Sequence, residues 1–209
     1  MSTGAIKIDE ALLAAVKNPL SGPGDLHNLG VKEAAAVAPF KQGTTGYELL
    51  QEPVFLELFG VSSYEEWNNT YGSNQTAIDY VGTQAYVVGT TYKGDEDAYI
   101  ADLTEVDELS ESLNSASTGA QDVFETVYKQ EVQELTWQSE DYMEELFDIT
   151  GGSKYQNDEL FIGQLDATVT LQGYSPDEKA LFKDVYEIDL DNLDEAGFTK
   201  LIDNVLFSK

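Results

Sequence analysis

Leu165-Asp166-Ala167-Thr168-Val169-Thr170-Leu171-Gln172 alternates apolar and polar residues without a break. Leu165, Ala167, Val169 and Leu171 fall on one face at a period of two, the pattern of a half-buried strand. Val and Thr also suit a pleated surface. Gly173-Tyr174 closes the run, and Ser175-Pro176-Asp177-Glu178 opens a helix. There Ser175 can cap, Pro176 fits the first helical position and Glu178 completes a capping box. Leu181, Val185 and Ile188 mark the expected buried stripe of this helix. A last helix, roughly 194–207, is expected to bury Phe198, Leu201, Ile202, Val205 and Leu206.

Working upstream, Gln84 to Tyr92 is rich in Val, Thr and Tyr, Gly94-Asp95 makes a turn, and Ala98 to Thr104 reads as a return strand. These segments predict a hairpin. The Ser- and Asn-rich stretch 107–121 reads as a polar loop. Residues 123–137 fit a helix through Phe124, Tyr128, Val132 and Leu135, while their composition favours a strand after Lys129. Closer to residue 1 the period is helical. Leu12, Leu13 and Val16 share one side of a short segment from Ile8 to Lys17, which Asn18-Pro19 ends. Residues 19–45 carry Pro19, Pro23, Pro39 and four glycines, and read as an arm or plain loop around an Ala-rich turn at 31–38. Tyr47, Leu49, Leu50, Val54, Phe55, Leu58 and Phe59, then Tyr64 to Tyr71, predict core-packing helices broken at Pro53.

The expected fold class is therefore α+β: an antiparallel β-sandwich or barrel-like core with flanking helices and an N-terminal helical arm. The expected division is an arm and helical segment over 1–80 and a β-rich core domain with C-terminal helices over 81–209.

Composition sets the chemistry. The chain has 209 residues, 42% hydrophobic and 11% aromatic, which is enough for a packed core. Against 39 Asp and Glu stand 11 cations, every one a lysine, for a net charge of -28. Such a charge repels itself in dilute buffer. At molar salt the Debye length falls to about 3 Å and the repulsion fades. The acids are spread along the whole length, which suits a halophilic, solvated surface; an acidic protein from an ordinary setting and a DNA mimic are the alternatives.

Absences exclude several function classes. Without cysteine there is no disulfide framework, thiolate nucleophile or cysteine metal site. The lone His27 sits in Gly22-Pro23-Gly24-Asp25-Leu26-His27-Asn28, a loop sequence, and cannot form a multi-histidine site. Without arginine there is no bidentate phosphate clamp and little means of gripping a nucleic-acid backbone. No secretory signal and no membrane-spanning run is read, and synthesis in a host cytoplasm is expected. Asp189-Leu190-Asp191-Asn192-Leu193 starts like a calcium loop, then fails where Leu193 and Lys200 replace ligands. Gly94-Asp95-Glu96-Asp97 is a turn with clustered acids and defines no ligand set. No phosphate-cradling glycine loop, nucleophile elbow or zinc-spaced histidine pair occurs. No catalytic, cofactor-binding or metal residue is assigned, no cofactor is expected, and the chain is read as non-enzymatic.

Phe147-Asp148-Ile149-Thr150, then Phe161-Ile162-Gly163-Gln164-Leu165-Asp166 leading into the Thr-rich run, and Gly173-Tyr174-Ser175-Pro176-Asp177 entering a helix form one series within residues 135–186. In this series the chain resembles the tail-tube proteins of tailed viruses. Ala101-Asp102-Leu103-Thr104-Glu105-Val106 is similar to an early strand of that family. The resemblance implies a virion structural protein that self-assembles into stacked rings, with other virion proteins as partners. Genome DNA would pass through an acidic channel without specific binding. A capsid or head–tail connector subunit, or a soluble acidic binding protein of a halophile, are the alternatives. The arm 19–45 and the stretch 107–121 are the first candidate interfaces.

Overall fold

The computed structural model describes residues 39–206. The segment from Ile8 to Lys17, His27 and most of the 19–45 arm lie outside the described residues. Within them the fold is all-α and not α+β: 68% of the described residues are helical, and no strand occurs among them.

The helices are α1 (Thr45–Leu49), α2 (Pro53–Glu57), α3 (Tyr64–Tyr71), α4 (Gln75–Thr90), α5 (Glu96–Ser115), α6 (Thr118–Tyr128), α7 (Glu140–Thr150), α8 (Asp158–Gln172), α9 (Pro176–Tyr186) and α10 (Glu195–Leu201). A π-helical turn, Ile202–Leu206, follows α10. The chain divides into two compact units, Met1–Ile100 and Ala101–Lys209, with the division falling inside α5.

The strands expected at 84–92, 98–104 and 165–172 are helical for local reasons, and the one expected after Lys129 is irregular. Residues 165–172 form the second half of α8, which begins where the Asn157 side chain accepts the Leu160 N–H at 2.8 Å. The buried line of α8 is Phe161, Gln164, Leu165 and Thr168, a helical spacing that the alternation hid. Its threonines are accommodated because Thr168 and Thr170 donate their hydroxyls to the carbonyls of Gln164 and Asp166, four residues back. Likewise 84–92 belongs mostly to α4, capped by Asn74, and 98–104 belongs to α5. The supposed loop 107–121 is the rest of α5 and the start of α6. Tyr99, Leu103, Val106, Ser110 and Leu113 are all buried at a 3.6-residue period. Gly94, at φ +85°, does turn the chain, but between two helices. Residues 129–136, after the left-handed Lys129 that ends α6, have no regular structure.

In the first unit the core is aromatic. Trp67, wholly buried, lies 5.7 Å edge-on from Phe59, which in turn lies 5.9 Å from Tyr80. Leu49, Leu50, Phe55, Leu58 and Phe59 are buried, as their spacing predicts. Ser63 caps α3 through the Glu66 N–H, and the Glu66 carboxylate returns to Ser62.

In the second unit α5, α6, α7, α8 and α10 share one core containing Leu109, Phe124, Leu146, Leu165 and Phe198. α6 packs against α8. A Cβ added at Gly119 would stand 3.0 Å from a Val169 methyl, so glycine sets the approach. Beside it, Ser117 caps α6 and donates to Asp166 at 2.7 Å. Gly119→Leu is expected to lower unfolding free energy by about 1–3 kcal/mol through overpacking, measured by urea titration. An unchanged midpoint would mean that α8 can shift away freely.

The expected capping box of α9 is present: Ser175 accepts from Glu178 N–H, and Glu178 accepts from Ser175 N–H at 2.9 Å. Its buried stripe is corrected, however. Phe182 and Ile188 face the core, while Leu181 is 65% exposed and Val185 61%.

Candidate functional site

The first feature is a cleft in the second unit, built from helical spacings. On α7, Glu145 and Asp148 are three residues apart and present carboxylates to it. On α8, Phe161 and Gln164 do the same with a ring and an amide. Glu195 comes from the first turn of α10, Tyr128 from the end of α6, and Tyr155 from the segment joining α7 to α8. The cavity measures about 300 Å³, at the small end for a ligand pocket. Phe161 lies 6.2 Å from Tyr128 and 6.3 Å from Tyr155, centroid to centroid, so an aromatic cluster lines part of it.

The electrostatics are one-sided. Burial, then the neighbouring Glu195 and Asp148, push the Glu145 carboxyl above its ordinary range. Burial also raises Tyr128, with Glu195 and Glu145 adding to the effect. Tyr155 is pushed up to about 12, by burial and then by Asp158, Glu105 and Glu108. Both phenols therefore stay protonated near neutrality. The one lysine at the cleft, Lys154, is ion-paired to Asp203. Among the described residues, Glu145, Asp148 and Glu195 have no ion pair. Gln164 is only 6% exposed as a residue, and no hydrogen bond to its side-chain amide occurs among the described residues.

The second feature is the outer side of α9. Leu181 and Val185, four residues apart, form an apolar strip with Tyr174 (41% exposed) and Tyr186 (37%), over a shallow groove also lined by Glu178 and Phe182. By helical geometry Asp177 and Asp184 flank the strip on one edge and Glu178 on the other. The helix's two lysines point elsewhere: Lys179 meets Asp191 and Lys183 meets Asp189, each at 2.6 Å.

Those pairs explain the calcium-like stretch. Asp189 accepts from Lys183 and from the Asp191 N–H, and the lysine's hydrogen bond holds its carboxyl below the ordinary range. Its acids therefore clamp α9 to the following loop. The acids of Gly94–Asp97 likewise open α5: Asp95 accepts the Ala98 N–H at 3.1 Å, and Glu96 and Asp97 occupy the first turn, where the helix dipole favours negative charge. Among the described residues no group of three or more acids or histidines is placed to hold a metal ion, and no helix is long and apolar enough to cross a membrane.

Neither feature was found from sequence. The cleft was legible as Glu145-x-x-Asp148 and Phe161-x-x-Gln164 only once 158–172 is helical. Compared with protein families, curated proteins and solved structures, the chain matches none.

Proposed function

We propose that this protein is a non-catalytic structural subunit of acidic, high-salt type that works by self-assembly. The observation that carries the reading is the exposed strip Leu181–Val185 on α9. On a chain of net charge -28, apolar side chains in water at such exposure are best accounted for by a partner.

The partner chemistry follows from the flanking acids. A second α9 would set Asp177, Glu178 and Asp184 against their own kind. Residues 1–38 differ from the rest of the chain, with Lys7, Lys17 and Lys32 nearly balancing Asp9, Glu10, Asp25 and Glu33. They also carry the apolar spacing Ile8, Leu12 and Val16. Residues 1–38 of another copy are therefore the occupant we propose. Such an exchange is heterologous, so it closes into rings or extends into filaments.

The setting we propose is a virion, made in the host cytoplasm; what supports it is the residue motifs of 135–186 and not a shared strand fold. A tube wall of sheets completed by neighbours needs strands, and residues 165–172 form a helix. The form we propose is accordingly a capsid or head–tail connector subunit, with other virion proteins as further partners. The test is light scattering and electron microscopy in about 2–3 M salt, where repulsion is screened. The intact chain is expected to form rings or filaments. Deletion of residues 1–38, or Leu181→Asp with Val185→Asp, is expected to give monomers. Assembly that survives both changes would sink the reading. A compact monomer of the intact chain would favour instead a soluble acidic binding protein, the reading that the cleft supports.

A further inference from the structure

The cleft of the second unit combines three features that the assembly reading leaves unused. Its carboxylates, Glu145, Asp148 and Glu195, have no cation among the described residues, because Lys154 is taken by Asp203. Its wall includes the aromatic residues Tyr128, Tyr155 and Phe161. Its lining includes Gln164, a residue only 6% exposed, whose side-chain amide has no hydrogen-bond partner among the described residues.

These features select a ligand class. Negative charge calls for a cation, and aromatic faces favour one with an organic shell over a strongly hydrated ion. The acids do not converge as a metal site would. Spread carboxylates suit a ligand whose charges are separated by a short aliphatic stem. The Gln164 side-chain oxygen can accept from an N–H donor, which a primary ammonium has and a quaternary one lacks. A volume of about 300 Å³ admits a short diamine and excludes a folded partner.

We infer that this cleft binds a small aliphatic diamine, its ammonium groups held by Glu145, Asp148 and Glu195 and by the amide oxygen of Gln164. The phenol hydroxyls, which burial and the neighbouring acids keep protonated, add no negative charge and leave their rings to face the alkyl stem. The site lies within the second unit and does not depend on whether copies assemble.

The experiment is calorimetric titration of the full chain with 1,4-diaminobutane in about 2 M potassium chloride, with tetramethylammonium as the comparison. Surface counterion binding is screened at that salt, whereas partly buried pairs are screened much less. The expected result is one saturable site per chain, with tetramethylammonium at least about tenfold weaker. Glu145→Gln with Glu195→Gln is expected to weaken the diamine at least about tenfold, and Gln164→Leu by about three- to tenfold. As a check that needs no variant, the Gln164 side-chain amide resonances of the unsubstituted protein should move in step with saturation. Three results would each overturn the inference: no saturable heat, equal binding of the two cations, or Gln164 resonances that stay still while the heat saturates.

Discussion

Transferred from about 2–3 M salt to about 0.05 M, the protein is expected to lose most of its helical circular dichroism and to regain it when salt is restored. Screening is the reason: the Debye length is about 3 Å at 1 M and about 30 Å at 0.01 M, so repulsion that is local in brine becomes global in dilute buffer. α5 shows the problem in one element. It carries Glu96, Asp97, Asp102, Glu105, Asp107, Glu108 and Glu111 and no basic residue. Asp102–Glu105, Glu105–Glu108, Glu108–Glu111 and Asp107–Glu111 are three or four apart, and each such like-charge pair costs about 0.2–0.5 kcal/mol when unscreened.

Four lysine–carboxylate pairs occur among the described residues, and each includes a partner at least 40% exposed, as with Lys200 and Glu187. Exposed pairs contribute about 0–1 kcal/mol apiece. Against a total stability of about 5–15 kcal/mol, a net charge of -28 without screening is decisive. Mild acid should partly replace salt, and the sign can be worked out. Glu96 is raised by burial and by Glu48 and Glu52, and Glu145 by burial, Glu195 and Asp148. A carboxyl raised on folding binds its proton more tightly in the folded state, so its contribution grows as pH falls from above its folded pKa toward 4.5. Glu66, Glu178 and Asp189 are lowered, so below that range their contributions are lost and stability turns down again. Full helical content in dilute buffer, with no gain between pH 7 and pH 5, would show instead that water alone solvates the acids.

How much of this was legible in the sequence depends on how far each signal reaches. Ser175-Pro176-Asp177-Glu178 was read correctly because a capping box is written in four consecutive residues. The apolar block 47–59 was read correctly because Pro53 marks its own break. The error at 165–172 came from a window too short to choose between periods. Leu165, Ala167, Val169 and Leu171 satisfy a period of two over eight residues, and only Asn157 and Phe161, further upstream, reveal the helix. The same holds for 98–121, where Tyr99 and Leu113 must be seen together. On α9, the apolar spacing was right but its direction was not. Leu181 and Phe182 are adjacent, and which of them faces inward depends on where the following loop lands, a tertiary fact. The cleft was out of reach because its acids lie fifty residues apart among 39.

Phe124→Ala is expected to cost about 3–5 kcal/mol, the range for deleting a wholly buried aromatic ring. Phe124 has no exposed surface, and its ring stands 5.0 Å from Tyr128, 6.3 Å edge-on from Tyr142 and 6.5 Å edge-on from Phe161. It thus joins α6 to α7 and α8, and the cavity left behind would be lined by other rings too bulky to close in. In urea, where small proteins lose about 1–3 kcal/mol per molar, the midpoint should fall by about 1–5 M with an unchanged slope. The companion measurement is Leu181→Ala, run in salt on the chain lacking residues 1–38 so that assembly does not intrude. At 65% exposure that side chain is expected to matter by no more than about 0.5 kcal/mol. The pair decides which way α9 and the core face. Were 123–137 extended and Leu181 part of a buried stripe, the two costs would converge; in the helical arrangement they differ by a factor of six or more.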